Sequence, residues 1–251
     1  QPDGNQVYSW GYGCVTGSTP TFAPTLPHQT CNTMQVPGPT LIVTENTVVT
    51  VTLTNNLPVP AGNTSILFPD FKVTATGGVQ GVLTQEAAHG TSVTYTFTAT
   101  TPGTHAYYSG TQGDLQIEMG LYGALIVLPA NVPTVCTAGL PTTNPGNNAA
   151  AKAFWHETDF RLAASAYDHP GTCYDREYLF QWAEMDLNIH RTALAQVKAL
   201  TAPGGACTIA GSAGCKLEVP TEPYHPGYFV INGRSMPDDM DPNFDAPYPH
   251  Q

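Results

Sequence analysis

Hydrophobic and polar residues alternate along short stretches in the first half of the chain. Residues 49–53 alternate valine or leucine with threonine, and residues 93–97 alternate valine, tyrosine and phenylalanine with threonine. A period of two buries one face of a β-strand and exposes the other. Residues 121–128 form an almost continuous apolar run, which predicts a strand buried on both faces. Glycine, proline and asparagine separate these stretches, so the pattern predicts an all-β sandwich or barrel.

The second half carries fewer strand signals. Residues 153–156, 178–182 and 228–233 are strand-like, and the last of these ends in an Asn-Gly turn. Residues 187–200 are rich in alanine, leucine and glutamine, which favours a short helix or a helical loop. Three or four strands are too few for a closed sandwich. We therefore expect an incomplete second unit, completed by polypeptide after Gln251, by another chain or by the first domain.

A stretch rich in proline, glycine and asparagine separates the two halves. Residues 132–151 contain three prolines, one of them followed by glycine, and several asparagines. Such a composition is not compatible with the interior of a sheet. The predicted organisation is a first domain at 1–131, a linker at 132–151 and a partial second domain at 152–251.

The charge of the chain excludes some classes of partner. Its 251 residues carry a net charge of −11, with only eight lysines and arginines. Such a surface repels nucleic acid and anionic membranes. No apolar run reaches the roughly 20 residues that span a bilayer, and no basic, hydrophobic leader is present. Gln1 is compatible with a mature N-terminus after signal cleavage.

Six widely spaced cysteines indicate an oxidising compartment. Their even number and the absence of a metal-binding spacing favour three disulfides in a secreted protein, extracellular or periplasmic. Six cysteines allow fifteen pairings. Pairing sequence neighbours predicts Cys14–Cys31, Cys136–Cys173 and Cys207–Cys215.

Several motifs, in order along the chain, resemble those of multicopper oxidases. In the first half they are Val-Pro-Gly-Pro-Thr at 36–40 and Met-Gly-Leu-Tyr-Gly-Ala-Leu-Ile-Val at 119–127. In the second half they are residues 184–186 and 224–234. The resemblance implies linked cupredoxin domains, that is, Greek-key β-sandwiches. It also implies copper chemistry, in which a mononuclear copper oxidises the substrate and a trinuclear cluster shared between domains reduces dioxygen.

None of the four copper-ligand positions implied by this resemblance holds a histidine. Leu67 and Pro69 stand at the first His-x-His pair of the family, and Tyr108 and Gly110 stand at the second. Copper requires imidazole and thiolate ligands, and only the tyrosine side chain offers a donor atom. No cysteine here is flanked by the histidines of a mononuclear site. The resemblance is thus to a degenerate member of the family, with no cofactor expected in this chain and copper only if a missing downstream domain supplies it.

Other candidate sites are weaker. Asp239, Asp241, Asn243 and Asp245 place oxygen donors at alternate positions, as a calcium loop does. However, phenylalanine occupies the position of the usual glycine and no glutamate follows, so an acidic surface loop is the alternative.

Three further features are candidate sites, and the first two have a simpler alternative. His156, with Glu157 and Asp159 nearby, is a candidate ligand, although residues close together on a strand do not converge on one face. Asp114 and Glu118 are candidates for acid–base work, with solvated loop residues as the alternative. Asn63 begins a glycosylation sequon. His105 is expected on a strand face and His89 in an exposed turn. The expected location of the other isolated histidines is mostly in loops, and these are His169, His190, His225 and His250.

Two functions are therefore predicted. The first is a non-catalytic, secreted cupredoxin module with a structural or binding role in an extracellular assembly, with further copies of itself as partner. The second is the N-terminal part of a longer copper-dependent oxidoreductase whose copper site lies in a later domain.

Overall fold

The computed structural model describes residues 6–15, 31, 33–137, 162–174, 177–207 and 212–235. Within this part the chain is mostly β-strand with short helices. The strands are β1 Leu41–Thr44, β2 Val48–Thr54, β3 Thr74–Gly77, β4 Val79–Gln80, β5 Gln85–Glu86, β6 Ser92–Thr98, β7 Gly103–Tyr108, β8 Tyr122–Leu128, β9 Trp182–Met185, β10 Tyr228–Ile231 and β11 Arg234–Ser235. The helices are a 3-10 turn at Val59–Ala61, α1 Gly113–Glu118, α2 Thr134–Thr137 and α3 Leu187–Thr201.

The first half folds into two three-stranded sheets. One sheet has the order β1-β8-β7, with β1 parallel to β8, and the other has the antiparallel order β2-β6-β3. Except for the β7–β8 pair, strands that are neighbours in these two sheets are not consecutive along the chain, which is typical of a Greek-key sandwich. The alternation predicted for β6 is confirmed, since its valine, tyrosine and phenylalanine are buried. The central five residues of β8 are all buried, as the continuous apolar run predicts.

Aromatic side chains join the two sheets. The ring of Phe68 lies 4.6 Å from that of Phe97 on β6 and 6.0 Å from that of Tyr107 on β7. The Tyr107 hydroxyl donates to the carbonyl oxygen of Pro39, 2.6 Å away, and burial raises the pKa of this phenol. A Cβ on Gly123 would lie 2.4 Å from that hydroxyl, so only glycine leaves room for the ring. Glycine is therefore needed in the 119–127 motif for packing.

The described part of the second half packs against the first. Strands β9, β10 and β11 form an antiparallel sheet, and the predicted helix is confirmed as α3. Ile189 and Ala193 of α3, together with Leu217, belong to the same hydrophobic cluster as the first-half core. The Leu217 amide donates to the carbonyl oxygen of Pro60, 3.1 Å away. The domain boundaries remain a prediction, but the described blocks share a core.

Three disulfides are present, and they join Cys14 to Cys31, Cys136 to Cys173 and Cys207 to Cys215. These are the pairs that sequence proximity predicts. Among the described residues, no helix has the length and apolar character that crossing a bilayer requires.

Candidate functional site

The structure brings three of the four predicted copper-ligand positions together. The Leu67 amide donates to the carbonyl oxygen of Tyr108 at 2.7 Å, and the Tyr108 amide donates back to Leu67 at 3.3 Å. A Cβ on Gly110 would lie 2.8 Å from Cγ of Leu67, so the leucine side chain fills the space in front of the glycine. Pro69 follows on the exposed side of the same segment. The positions are neighbours, but an apolar side chain lies between them.

These side chains do not fit a copper centre. Leucine, proline and glycine side chains have no donor atom for copper, which takes nitrogen and sulfur ligands. His105 on β7 is engaged elsewhere: its Nδ1 lies 2.9 Å from Oδ2 of Asp70 and its Nε2 lies 2.9 Å from the carbonyl oxygen of Thr101. Within the described ranges, no group of three or more histidine, cysteine, aspartate or glutamate side chains is placed to hold a metal.

A buried glutamine lies at the centre of the polar groups beside these positions. Gln116 of α1 is fully buried, and its Oε1 accepts hydrogen bonds from Thr64 at 2.8 Å and from Ser109 at 2.7 Å. Its Nε2 donates to the carbonyl oxygen of Asn63 at 2.8 Å. The amide thus connects the segment before Leu67 to the segment after Tyr108. A buried polar group costs little when it is hydrogen-bonded, and the Gln116 amide makes three hydrogen bonds to protein groups.

A second set of contacts continues this network to Glu86. The Ser65 and Thr111 hydroxyls lie 2.9 Å apart, and Thr111 donates to Oε1 of Glu86 at 2.9 Å. Oε2 of Glu86 accepts from Nδ2 of Asn63 at 3.1 Å. The nitrogen that a glycan would modify is therefore hydrogen-bonded inside the protein. Asn63 itself is half-buried, and the serine of the sequon is buried.

Glu118 is not a solvated loop residue, so that expectation is wrong. It ends helix α1, and its side chain is only 8% exposed. Oε1 accepts the backbone N–H of Asp186 at 2.6 Å, and Oε2 accepts the Tyr224 hydroxyl at 2.9 Å. Asp114, one turn earlier, accepts a hydrogen bond from the Thr221 hydroxyl at 3.0 Å. Both carboxylates bind the second half of the chain, because α1 lies at the contact between the two blocks.

His190 is also wrongly expected in a loop. It lies on α3, is 1% exposed, and directs Nδ1 to the carbonyl oxygen of Tyr8 at 2.6 Å. Its Nε2 lies 3.4 Å from Oε1 of Glu118 and has no hydrogen-bond partner. Nδ1 must carry a proton to donate to the carbonyl. Nε2 is then an acceptor in the neutral ring and a donor toward Glu118 in the protonated ring.

Two ionisable neighbours respond to this environment. Burial raises the pKa of the Asp186 carboxyl, but the backbone N–H groups of His225 and Asn188 outweigh it and hold the pKa below its usual value. Asp186 is also the N-cap of α3, where a carboxylate is favoured. Burial, followed by the hydrogen bond to Glu118 and the negative charge around it, raises the pKa of Tyr224.

A cleft of about 590 Å³ lies where α1 meets the second half. Four carboxylate side chains line it, and none of its described lining residues is basic. The aromatic rings of Tyr122 and Tyr224 form part of the wall. Burial, then the charge of Glu118, raises the pKa of Tyr122 to about 12. The lining carboxylates are Asp114, Glu118, Glu184 and Glu222.

The other predicted sites are dispersed or undescribed. His89 is exposed in a turn as expected, with Nδ1 2.8 Å from the carbonyl oxygen of Leu57. His169 and His225 lie outside the described helices and strands. The calcium candidates and the group around His156 lie outside the described residues.

Comparisons with known proteins agree with the resemblance. Residues 19–132 match the family model for multicopper oxidases. The copper-containing nitrite reductase of Pseudomonas chlororaphis is 36% identical over 96 residues, which are 38% of this chain and 25% of that protein. The multicopper oxidase mgLAC has a TM-score of 0.44 and 21% identity, over 81% of this chain and 46% of its own. A copper nitrite reductase from Nitrosomonas europaea has a TM-score of 0.39 and 22% identity, over 80% of this chain and 47% of its own.

The first block is thus a cupredoxin-like β-sandwich. The match over residues 19–132 supports the predicted resemblance to multicopper oxidases, and the predicted all-β fold is confirmed. The chain spans 25% of the curated relative and less than half of each solved structure, at 46% and 47%.

Proposed function

We propose that this protein is a copper-free cupredoxin module with a structural or binding role in a secreted assembly. The observation that carries the proposal is the contact of Leu67 with Gly110 and Tyr108, beside a hydrogen-bonded network centred on Gln116. Apolar contact occupies the ligand positions, and the adjacent polar groups are bonded to one another. A copper ion at this place would find a side-chain donor atom at only one of the four ligand positions, the Tyr108 hydroxyl.

Two features support secretion. Three disulfides constrain the chain, and such bonds persist in oxidising compartments. Charged residues make up only 11% of the sequence. The family match and the cysteine usage together favour an extracellular or periplasmic protein, with further copies of itself as the first partner to test.

Copper loading tests this proposal. The protein is dialysed against Cu(II), then against buffer with a mild chelator, and its metal content and electron paramagnetic resonance spectrum are recorded. We expect substoichiometric copper and no signal that survives the chelator. His105→Gln is the matched control, because His105 is the histidine on the strand of the second ligand pair, and it should leave any residual copper unchanged. Stoichiometric, chelator-resistant copper in the unaltered chain would overturn the proposal.

A second candidate function is the N-terminal part of a longer copper-dependent oxidoreductase, with its copper in a later domain. The length comparison supports it, because the matched region is 25% of the curated relative. The coding sequence after Gln251 decides between the two. A downstream His-Cys-His arrangement favours the oxidoreductase, and the intact mass of the natural protein checks which form is made.

A further inference from the structure

The hairpin formed by β4 and β5 ends in two exposed apolar side chains. Its two-residue loop is Val82-Leu83, which is closed by a hydrogen bond from the Gly81 N–H to the carbonyl oxygen of Thr84 at 3.0 Å. Val82 is 93% exposed and Leu83 is 66% exposed. Turns usually hold glycine, proline, asparagine, aspartate or serine, each of which favours the turn backbone. The hairpin tip, Val82 and Leu83, therefore presents apolar surface that the turn itself does not require.

The hairpin holds this tip in place and leaves it without charge. Nε2 of Gln85 donates to Oε1 of Gln80 at 2.9 Å, which links the two strands next to the loop. Glu86 is the only charged residue of the hairpin. Its side chain is directed into the protein, where its carboxylate accepts hydrogen bonds from Asn63 and Thr111. The tip is thus an uncharged apolar knob on a chain with a net charge of −11.

A cleft with matching properties lies elsewhere on the surface. Its volume is about 610 Å³, which is in the range of ligand pockets and larger than two aliphatic side chains need. Residues 8–15 form one wall, and the end of β2 with the loop that follows it, residues 52–58, forms another. Met34, Leu53 and Leu57 give the cleft apolar surface. None of the described residues that line this neutral cleft is charged, and none belongs to the hairpin.

We propose that the hairpin tip of one copy of this chain inserts into the neutral cleft of the next copy. The inference rests on the proposed function, because it specifies how copies of the module meet. Two copies that each carry a net charge of −11 repel one another, so their contact surfaces must carry little charge of their own. Tip and cleft meet this condition, and apolar burial supplies the attraction. A knob and a hole on different parts of a chain form a head-to-tail contact, which builds a ring or a filament.

A second exposed apolar surface is less suited to contact between copies. Trp182 on β9 and Phe229 on β10 are largely exposed. Glu184 lies on the same face of the sheet, two residues after Trp182 and directly opposite Phe229. Packing this face against its own copy would bring carboxylates together out of water, which is unfavourable. Charge thus separates the two surfaces, and a variant of Trp182 serves as the control for the tip.

Sedimentation of the full chain over a range of protein and salt concentrations measures the contact. A knob of two side chains buries less area than a standard interface, so we expect reversible association that rises with protein concentration. Raising sodium chloride to about 0.5 M should strengthen association, because salt screens the repulsion between copies and does not weaken apolar burial. Association that weakens with salt would indicate an ionic contact and overturn the proposal, as would a chain that stays monomeric throughout.

Two variants remove the two surfaces separately. Val82→Ser combined with Leu83→Asn removes the apolar tip and introduces residues that turns favour, while Met34→Glu places a charge in the cleft. Each should weaken association about tenfold or more, through the loss of apolar burial or the burial of a charge. Trp182→Gln removes a larger exposed apolar side chain and should leave association unchanged. Loss of association in Trp182→Gln, or unchanged association in the tip variant, would overturn the proposal.

Mixing the two variants tests the head-to-tail geometry. The tip variant keeps an intact cleft and the Met34→Glu variant keeps an intact tip, so a mixture should form a complex of one copy of each that does not grow further. A mixture that stays monomeric, or Met34→Glu protein that associates by itself through tip-to-tip contact, would overturn the proposal. Urea midpoints check that both variants fold. Copper content is measured separately, so failure of this contact leaves the proposal of a copper-free module untouched.

Discussion

Replacing Gln116 with methionine tests the polar network beside the ligand positions most directly. Methionine keeps the length and most of the volume of the side chain but removes the amide. The two hydroxyls that donate to Oε1, at 2.8 and 2.7 Å, then lose that acceptor, and the carbonyl oxygen of Asn63 loses its donor. Gln116 has 0% exposure, so water does not replace the amide without rearrangement.

The structure sets the size of the effect. Each buried group left without a partner costs about 1–3 kcal/mol. The Ser109 hydroxyl retains a second hydrogen bond, to the carbonyl oxygen of Thr111 at 3.2 Å. Most of the destabilisation therefore comes from the Thr64 hydroxyl and the Asn63 carbonyl, which are left without that partner. We therefore expect Gln116→Met to lower the free energy of unfolding by about 3 kcal/mol. With a urea dependence of roughly 2 kcal/mol per molar, the urea midpoint falls by about 1.5 M.

Equilibrium urea unfolding, followed by fluorescence, measures this change. Gln80→Met is the matched control, because Gln80 makes its hydrogen bonds at the exposed surface and should change stability by less than about 0.5 kcal/mol. Adding Thr64→Val to Gln116→Met removes the orphaned hydroxyl and should recover about 1 kcal/mol. A Gln116→Met midpoint equal to that of the control would refute the argument that this network stabilises the fold.

Two further predictions concern the ligand positions and the buried tyrosines. Gly110→Ala should destabilise the protein by about 1–2 kcal/mol, because the added methyl group contacts Leu67. In a Leu67→Ala background most of this destabilisation should disappear, and a double-mutant cycle measures the difference. Equal destabilisation in both backgrounds would contradict the predicted contact. Burial raises the pKa of Tyr95 and of Tyr122 to about 12, above the ordinary value of about 10 in the unfolded chain. The folded state then binds more protons than the unfolded state between these values, so stability should fall as pH rises above about 10. Urea midpoints at pH 9 and pH 11 measure this loss of stability, and Tyr122→Phe should make the loss smaller. A midpoint that does not change between pH 9 and pH 11 would contradict the raised pKa of the two tyrosines.

Local patterns were enough to predict the sandwich and its resemblance to multicopper oxidases. The alternation in β2 and β6 predicts which side chains enter the core, because side chains on a strand point to opposite faces in turn. The apolar run of β8 is a similarly local signal. The motifs at 36–40 and 119–127 contain glycines at 38 and 123 that a buried tyrosine ring requires. The disulfides predicted by pairing each cysteine with the next one along the chain are those that the structure contains.

The burial and hydrogen bonding of the candidate site residues depend on contacts between segments that are distant in the sequence. Gln116 stands between two apolar residues in an acidic helix, and nothing in that pattern shows that its amide joins residues 63, 64 and 109. Glu118 and His190 are 72 positions apart and meet only because α1 and α3 pack together. Their environment is set by the groups that three different segments bring to one place.

The sequence by itself thus determined the all-β fold, the resemblance to multicopper oxidases and the absence of histidine at the predicted copper-ligand positions. Each of these follows from residue type and local period. Only the tertiary structure decided what occupies the space around those positions and which carboxylates are buried. It also decided that an acidic cleft forms where the two blocks meet. Burial and hydrogen bonding are properties of neighbours in space, and the chain brings those neighbours together only when it folds.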